Sequence, residues 1–220
     1  MHAEDVSYAY GLWFLVFVNV ALFAFFILSF LAPLKKREWR SMGATLAFFV
    51  ALFTEMYGFP LTIYILTGVL GSRYPALNPF SHASGHLWLV AFGGGPLMMT
   101  FIHLISNALV LIGFVIMWKG WRLIHAAQSE LVTTGPYAFV RHPQYSGLFL
   151  VMLGMLIQWP TIITAAMFPV LLYVYYRLSK REENDLLAAF GETYRTYIKK
   201  TPMFIPRLKG KTVNKSMLDA

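Results

Sequence analysis

The sequence predicts an all-α integral membrane bundle of five transmembrane helices, in which the last two form a C-terminal helical hairpin that leads into a cytoplasmic helical segment. Three observations carry this. Of the 220 residues, 58% are apolar and 13% charged, with a mean hydropathy of +0.58, whereas soluble domains sit nearer half apolar and a quarter charged. The apolar residues come in continuous runs, not in the short alternating strands of an outer-membrane barrel. Lys and Arg, finally, are distributed very unevenly among the segments that separate those runs.

No charge falls between Asp5 and Lys35, and residues 11–31 make the first span, because a helix needs about 20 apolar residues to cross the hydrocarbon core. This run is too long for a signal-peptide core and is read as retained. Residues 43–66 make the second span, interrupted by Glu55 and Pro60. From Tyr74 to Trp118 there is no Lys, Arg, Asp or Glu. The first part of that stretch, "ALNPFSHASGHLWLVAFGGGP", is broken by Gly and Pro and reads as loop or surface-lying structure; residues 100–118 form the third span. The last apolar region, 145–176, is centred on Pro160. It is either one kinked helix or a pair, 145–159 and 161–176, each about 22 Å long at 1.5 Å per residue.

Charge decides between them. As a hairpin, the region leaves every one of the 18 Lys and Arg except Arg73 on one face of the membrane; as a single helix it splits them across both. The positive-inside rule favours the hairpin, with the N-terminus outside and the C-terminus in the cytoplasm. The net charge of +8 then serves as an orientation signal that also attracts anionic membrane lipids, and nucleic acid is not expected as a partner. The absence of cysteine excludes disulfides, thiolate metal sites and a cysteine nucleophile.

The hairpin brings two polar segments together on the cytoplasmic side: "TTGPYAFVRHPQYSG", residues 133–147, and "RLSKREENDLLAAFGETYRTYIKKTPMFIPRL", residues 177–208. In the first, Gly135-Pro136 makes a turn and Pro143 pushes His142 toward extended angles, so the segment is expected to be stiff, with backbone N–H groups free to bind. Arg141 offers a planar fork for a carboxylate. Tyr137, His142 and Tyr145 offer flat faces, and tyrosine faces attract cations. In the second segment, leucines and Phe190 recur at helical spacing and Gly191 marks a cap or a break. Glu182 and Glu183 are expected in the first turns of a helix starting at the membrane exit, as the nearest carboxylates to Arg141. A ligand with a carboxylate, a cation and a flat heteroaromatic ring suits this set, and S-adenosylmethionine has all three. Tyr and Arg also serve as plain interface anchors, and composition and spacing go no further than a polar cytoplasmic site between helices.

"GPYAFVRHPQYSG", an apolar hairpin and then "REENDLLAAFGETYRTYIKKTPMFIP" resemble, in order, the motifs of the isoprenylcysteine carboxyl methyltransferase and phospholipid methyltransferase group of integral membrane enzymes. The resemblance covers residues 130 to 206. It implies a methyltransferase of a bacterial inner membrane, using S-adenosylmethionine and a lipophilic acceptor that enters from the bilayer. It also implies residue roles. Tyr137, Arg141, His142 and Tyr145 would line the cofactor pocket, with backbone groups near Gly135 and Val140. Glu182 and Glu183 would order it, and with Arg141 are the catalytic candidates; Tyr194 and Tyr197 would close it. Met203 stands where the family often has Arg, while Phe204-Ile205-Pro206 is intact. An isoprenylcysteine-like carboxylate, a lipid amine, a quinone-like lipid and a small thiol all remain open as acceptor. The competing readings are a membrane reductase of the sterol-reductase type using a nicotinamide nucleotide, and a non-catalytic membrane sensor or accessory protein.

The remaining features receive narrower readings. Glu55 lies at membrane depth, where an ionisable group reads as functional or paired; it is a candidate to meet the acceptor or to bind His103, the second candidate substrate-binding residue. His82 and His86 are four apart, but no carboxylate stands nearby and no metal site is predicted. Gly93-Gly94-Gly95 reads as a flexible turn. Trp88, Trp118, Trp121 and Trp159 are expected at membrane interfaces. The whole chain, 1–220, is read as one membrane domain with a cofactor-binding region at 130–206 and a flexible tail at 209–220.

Overall fold

A computed structural model describes residues 10–31, 39–70, 85–93, 95–127 and 130–207. Among them all regular structure is helical: α1 (Trp13–Leu31), α2 (Trp39–Phe53) running into a π-turn (Thr54–Gly58), α3 (Leu61–Leu70), α4 (Leu87–Phe92), α5 (Pro96–Ala126), a 3₁₀ turn (Gly135–Ala138), α6 (Pro143–Gln158) and α7 (Ile162–Lys200). Three helical stretches are long and apolar enough to cross a membrane, Arg40–Gly58, Pro96–Ala126 and Ile162–Lys200, while Trp13–Ser29 and Leu61–Leu70 are apolar but shorter. Helix α7 is apolar only as far as Tyr176; from Arg177 onward it carries charge and lies beyond its membrane-compatible part. Lys35, Lys36, Arg37, Arg73, His82, Gly94 and the tail 209–220 fall outside the described residues.

The second expected span is not one helix. Pro60 has no N–H to donate and disfavours helical angles in the residue before it, and Phe59 is accordingly extended, with φ −135° and ψ 114°. The chain widens into the π-turn, Phe59 N donating to Thr54 O at 2.7 Å, and restarts as α3. Glu55 bridges the break. It is 4% exposed, and its Oε2 accepts from Thr62 N at 2.8 Å, satisfying one of the orphan amides at the start of α3. Thr62 Oγ1 in turn accepts from Ile162 N at 2.9 Å, at the start of α7. Glu55 is therefore a capping group for one helix, and the expected Glu55–His103 pair does not form. His103 instead packs against His86, ring centroids 5.0 Å apart.

The third span is longer than expected on both sides. Gly95 and Pro96 start α5, proline being well tolerated where its missing N–H has no helical partner. At the far end nothing in "WKGWRLIHA" stops the helix. Lys119 and Arg122 have stems long enough to carry their charge to water, and Arg122 lies over the Trp118 ring at 4.9 Å.

Helices α5 and α6 make the closest contact in the fold, through small residues seven apart on each. A Cβ at Gly113 would stand 2.5 Å from Gly147 O, one at Gly147 would stand 2.6 Å from Gly113 O, and one at Gly154 would stand 2.7 Å from Ser106 O. Backbone meets backbone here because both sides lack side chains, the arrangement that membrane helices use where apolar burial supplies no drive between them. On the other side, Phe23 of α1 packs against Phe49 of α2 at 4.5 Å, and Thr45 Oγ1 bonds the Tyr175 hydroxyl at 2.7 Å to join α2 to α7.

The expected break at Pro160 is present: α6 ends at Gln158 and α7 starts at Ile162. Trp159 between them is buried, not interfacial, at 3% exposure. Its ring fills the space over Gly85, where a Cβ would stand 1.9 Å away. The last carbonyls of α6 lack helical partners and are met by Trp88 Nε1 on Ile157 O at 2.9 Å and by His86 Nδ1 against Gln158 O at 3.2 Å. His86 thus closes a helix end.

Candidate active site

The segment Thr134–His142 is held in an irregular path by its own chemistry. Gly135 adopts φ +59°, a value that costs glycine little. The 3₁₀ turn follows, and Pro143 opens α6 with His142 before it outside helical angles, at φ −123° and ψ 64°. The backbone amides expected to be free are in use. Arg141 N donates to Pro202 O at 2.8 Å and His142 N to Met203 O at 3.1 Å, so the closing segment pairs with the motif much as a strand would. Ser146 Oγ adds a bond to Phe204 O at 2.8 Å, and Phe204 packs edge-on against Phe149 at 5.3 Å.

Charged side chains meet just below this pairing. Arg141 Nε and Nη2 both reach Glu183 Oε1 at 2.7 Å, and its Nη1 donates to Ile198 O at 3.2 Å and to Thr201 O. The guanidinium is therefore spent on protein groups and holds the end of α7 in place. His142 Nδ1 lies 3.3 Å from Glu182 Oε2 and its Nε2 3.4 Å from Glu183 Oε1. Tyr145 donates to Glu182 Oε1 and stacks on His142, 5.8 Å between centroids and 9° between planes. The carboxylates do not open a helix as expected: α7 runs on from the membrane, and they lie in its interior.

Electrostatics follow from this crowding. Burial alone would lower the His142 pKa, but hydrogen bonds and negative charge from Glu182 and Glu183 outweigh it and raise it. Burial alone would raise Glu183, but His142 and Arg141 bring it down to about 2. Burial pushes the Tyr137 and Tyr194 hydroxyls upward and that of Tyr197 to about 12, which keeps them neutral donors. Tyr197 uses this to donate to Tyr137 O at 2.6 Å. Gly191 is the expected break, with φ +52° and ψ −124° inside α7. It redirects the helix so that Tyr194 and Tyr197 turn inward, 1% and 9% exposed.

Two cavities flank the Gly135–Arg141 segment. One, of about 280 Å³, is lined by Tyr137, Arg141, Tyr194, Tyr197, Phe190 and Glu130 among others. The second, of about 780 Å³, has Gly135 and Val140 in its wall with Phe139, Phe149, Phe168 and Lys119. The predicted residues thus separate into three groups. Tyr137, Arg141, Tyr194 and Tyr197 face the smaller cavity, Gly135 and Val140 the larger, and His142, Tyr145, Glu182 and Glu183 form the polar cluster that ties α6 to α7. Glu55 and His103 line neither cavity. Sequence reasoning missed Lys119 and the apolar wall. The charge of Lys119 was absorbed into a count of positive residues, and the wall comes from three helices distant in sequence.

Residues 97–189 match the sequence profile described as the Isoprenylcysteine carboxyl methyltransferase (ICMT) family. The likeness to that family is carried by this segment. Protein-S-isoprenylcysteine O-methyltransferase of Schizosaccharomyces pombe is 39% identical over 79 residues, covering 34% of this chain and 33% of that protein. The mouse protein of the same name is 34% identical over 93 residues, covering 39% and 33%. The nickel-cobalt-cadmium resistance protein NccN of Alcaligenes xylosoxydans xylosoxydans is 33% identical over 92 residues, covering 42% and 43%. The match spans about a third of the length of the two methyltransferases. Within the family segment fall the α5–α6 seam, the motif and both carboxylates of the cluster; Tyr194, Tyr197 and the closing segment lie beyond it.

Proposed function

We propose that this protein is an integral membrane methyltransferase that moves the methyl group of S-adenosylmethionine to a lipophilic acceptor at the cytoplasmic face. In this reading it spans the membrane five times, α6 and α7 form the hairpin, and the N-terminus lies outside a bacterial inner membrane. The observation that carries it is the pair of cavities on either side of one segment, one with Tyr137, Tyr194, Tyr197, Arg141 and Glu130 in a mainly apolar wall, the other almost wholly apolar. Enclosed, mainly apolar pockets with a few converging polar groups are where small ligands bind.

The residues suit the donor. Tyr137, Tyr194 and Tyr197 offer faces and hydroxyls to a sulfonium and an adenine, and Glu130 supplies negative charge at the rim of the same cavity. When bound, S-adenosylmethionine supplies an electrophilic methyl. Arg141 and Glu183 hold the closing segment against the motif, His142 and Glu182 hold Tyr145, and Tyr197 fixes the carbonyl of Tyr137. Together they exclude water and fix orientation, the main protein contribution to a displacement of this kind. The open acceptors are an isoprenylcysteine-like carboxylate, a lipid amine and a small thiol.

Calorimetric titration of S-adenosylhomocysteine into detergent-solubilised protein, beside an Arg141→Ala variant, tests this. Saturable binding that the variant loses supports the reading. A folded protein that binds nothing in detergent or in lipid overturns it, and then favours a role without methyl transfer, of the kind suggested by the likeness to a metal-resistance protein.

A further inference from the structure

Where α7 leaves its apolar stretch it carries an outward strip that belongs to neither cavity. Tyr173, Tyr176, Arg177, Lys180 and Asn184 recur three or four apart and are all exposed, so they share one face of the helix. The opposite face is buried through Leu171, Tyr175, Leu178 and Glu183. Along the strip tyrosine comes first and cation second. Tyr173 is 58% exposed while α7 is still apolar around it, and its hydroxyl accepts from Arg177 Nη1 at 3.1 Å. The Arg177 guanidinium lies 5.9 Å from the Tyr173 ring centroid, and Lys180 Nζ stands over the Tyr176 ring at the same distance. The acids next in sequence leave this strip: Glu182 and Glu183 turn to His142 and Arg141, and Asp185 stands one turn beyond Arg181 on the flank.

Arg177 and Lys180 start about 5 Å apart along the helix axis, close enough for both to reach one phosphate. A soluble acidic partner would use the cations alone. The tyrosines, exposed one turn toward the apolar end, suit the boundary between headgroup and acyl chain, and Val170, 60% exposed a turn further on, continues the same side as hydrocarbon. We propose that this strip binds the phosphate of an anionic phospholipid in the leaflet where α7 emerges. The site goes beyond methyl transfer and needs only that α7 crosses a membrane. It also touches the polar cluster, because Lys180 reaches Glu183 Oε2 at 3.3 Å with half its side chain still exposed. One side chain therefore joins the lipid to the contacts that tie α6 to α7.

The test adds dioleoylphosphatidylglycerol or dioleoylphosphatidylcholine to detergent-solubilised protein and reads melting temperature and the lipid retained in native mass spectrometry. Wild type should retain phosphatidylglycerol and melt higher with it than with phosphatidylcholine, since a ligand of the folded state stabilises it. Each cation near an anionic lipid surface contributes about fivefold to binding, so Arg177→Gln/Lys180→Gln should bind phosphatidylglycerol about 20-fold more weakly and phosphatidylcholine as before. Lys199→Gln/Lys200→Gln, both exposed further along the same helix, removes equal charge and should keep wild-type affinity. Comparing the two lipids within each variant separates binding from any change in the variant's own stability. Undiminished phosphatidylglycerol binding by Arg177→Gln/Lys180→Gln overturns the site, and so does an equal loss in Lys199→Gln/Lys200→Gln, which would mark net charge alone. An equal melting shift with inorganic phosphate would assign the strip to a free anion and overturn the lipid as its occupant. Binding of S-adenosylhomocysteine enters none of these readouts, so the site and the methyltransferase reading stand or fall separately.

Discussion

Arg141 and Glu183, 42 residues apart, meet through two guanidinium nitrogens that share one carboxylate oxygen at 2.7 Å. The side chains are 8% and 5% exposed, so neither charge has water to fall back on. This contact, with the carbonyls of Ile198 and Thr201 on the same guanidinium, joins the start of α6 to the end of α7.

Removing one partner should cost more than removing both. Glu183→Gln leaves a buried guanidinium without its counter-charge, and breaking a buried pair costs about 3–5 kcal/mol. The double variant Arg141→Met/Glu183→Leu is expected to melt at a higher temperature than Glu183→Gln. A thermal unfolding cycle in detergent checks this, and additive losses would show that the two side chains do not act as a unit.

The cluster also sets a pH window. Glu183 is held down to about 2 from an ordinary 4.5, so its contribution is complete above the ordinary value and is lost as pH falls toward 2. His142 is raised above 6.5, so its contribution is complete below that value and is lost as pH rises through the folded one. Thermal stability should therefore peak between these two ordinary values. In His142→Gln the decline on the alkaline side should vanish and the acid side remain; an unchanged alkaline limb would remove His142 as its source.

Two glycine-to-alanine changes should have opposite signs. Gly43 lies inside α2 with nothing within 4 Å of an added Cβ, and Gly→Ala in a helix interior is worth about 0.5–1 kcal/mol in stability. Gly113→Ala would place a Cβ 2.5 Å from Gly147 O, forcing α5 and α6 apart at about 1–3 kcal/mol. Melting curves of the two variants decide this, and a Gly113→Ala protein as stable as wild type would mean the helices are not locked there.

Gly191→Ala tests the bend in α7. Its φ of +52° with ψ −124° is a conformation essentially reserved for glycine, and strain there costs about 1–3 kcal/mol. The expected result is faster proteolysis between Gly191 and Thr201, with weaker binding of S-adenosylhomocysteine as Tyr194 and Tyr197 lose their inward placement. Unaltered cleavage would indicate that a straight helix is equally well accommodated.

Much of this architecture was legible because long apolar helices announce themselves by continuous apolar runs. The α6–α7 break was visible in Pro160, the bend in Gly191, and the polar site in residues 133–147. Other features were hidden for physical reasons. Nothing in the order of residues shows that Glu55 caps α3, because that role depends on a π-turn bringing its carboxylate over Thr62. Of the amides expected to be free in residues 133–147, those of Arg141 and His142 were claimed by the carbonyls of Pro202 and Met203, some 60 residues on. The seam was legible in principle. Ser106, Gly113 and Gly120 on one helix and Gly147 and Gly154 on the next recur every seven residues, but glycine in an apolar run reads first as a flaw in the helix.

Helix α6 turns two unlike faces to its surroundings. Gly147 and Gly154 press backbone to backbone on α5, whereas Phe149, Leu150 and Leu153 look into the large cavity. The first face admits almost no variation, since every larger residue collides with main chain that has nowhere to go. The second is bounded by side chains alone, so its contour can be recut without moving the scaffold. A library restricted to Phe149, Leu150, Leu153 and the facing Phe168 and Leu172 is therefore a practical route to a chamber of altered shape, with the seam left untouched as the frame that holds it.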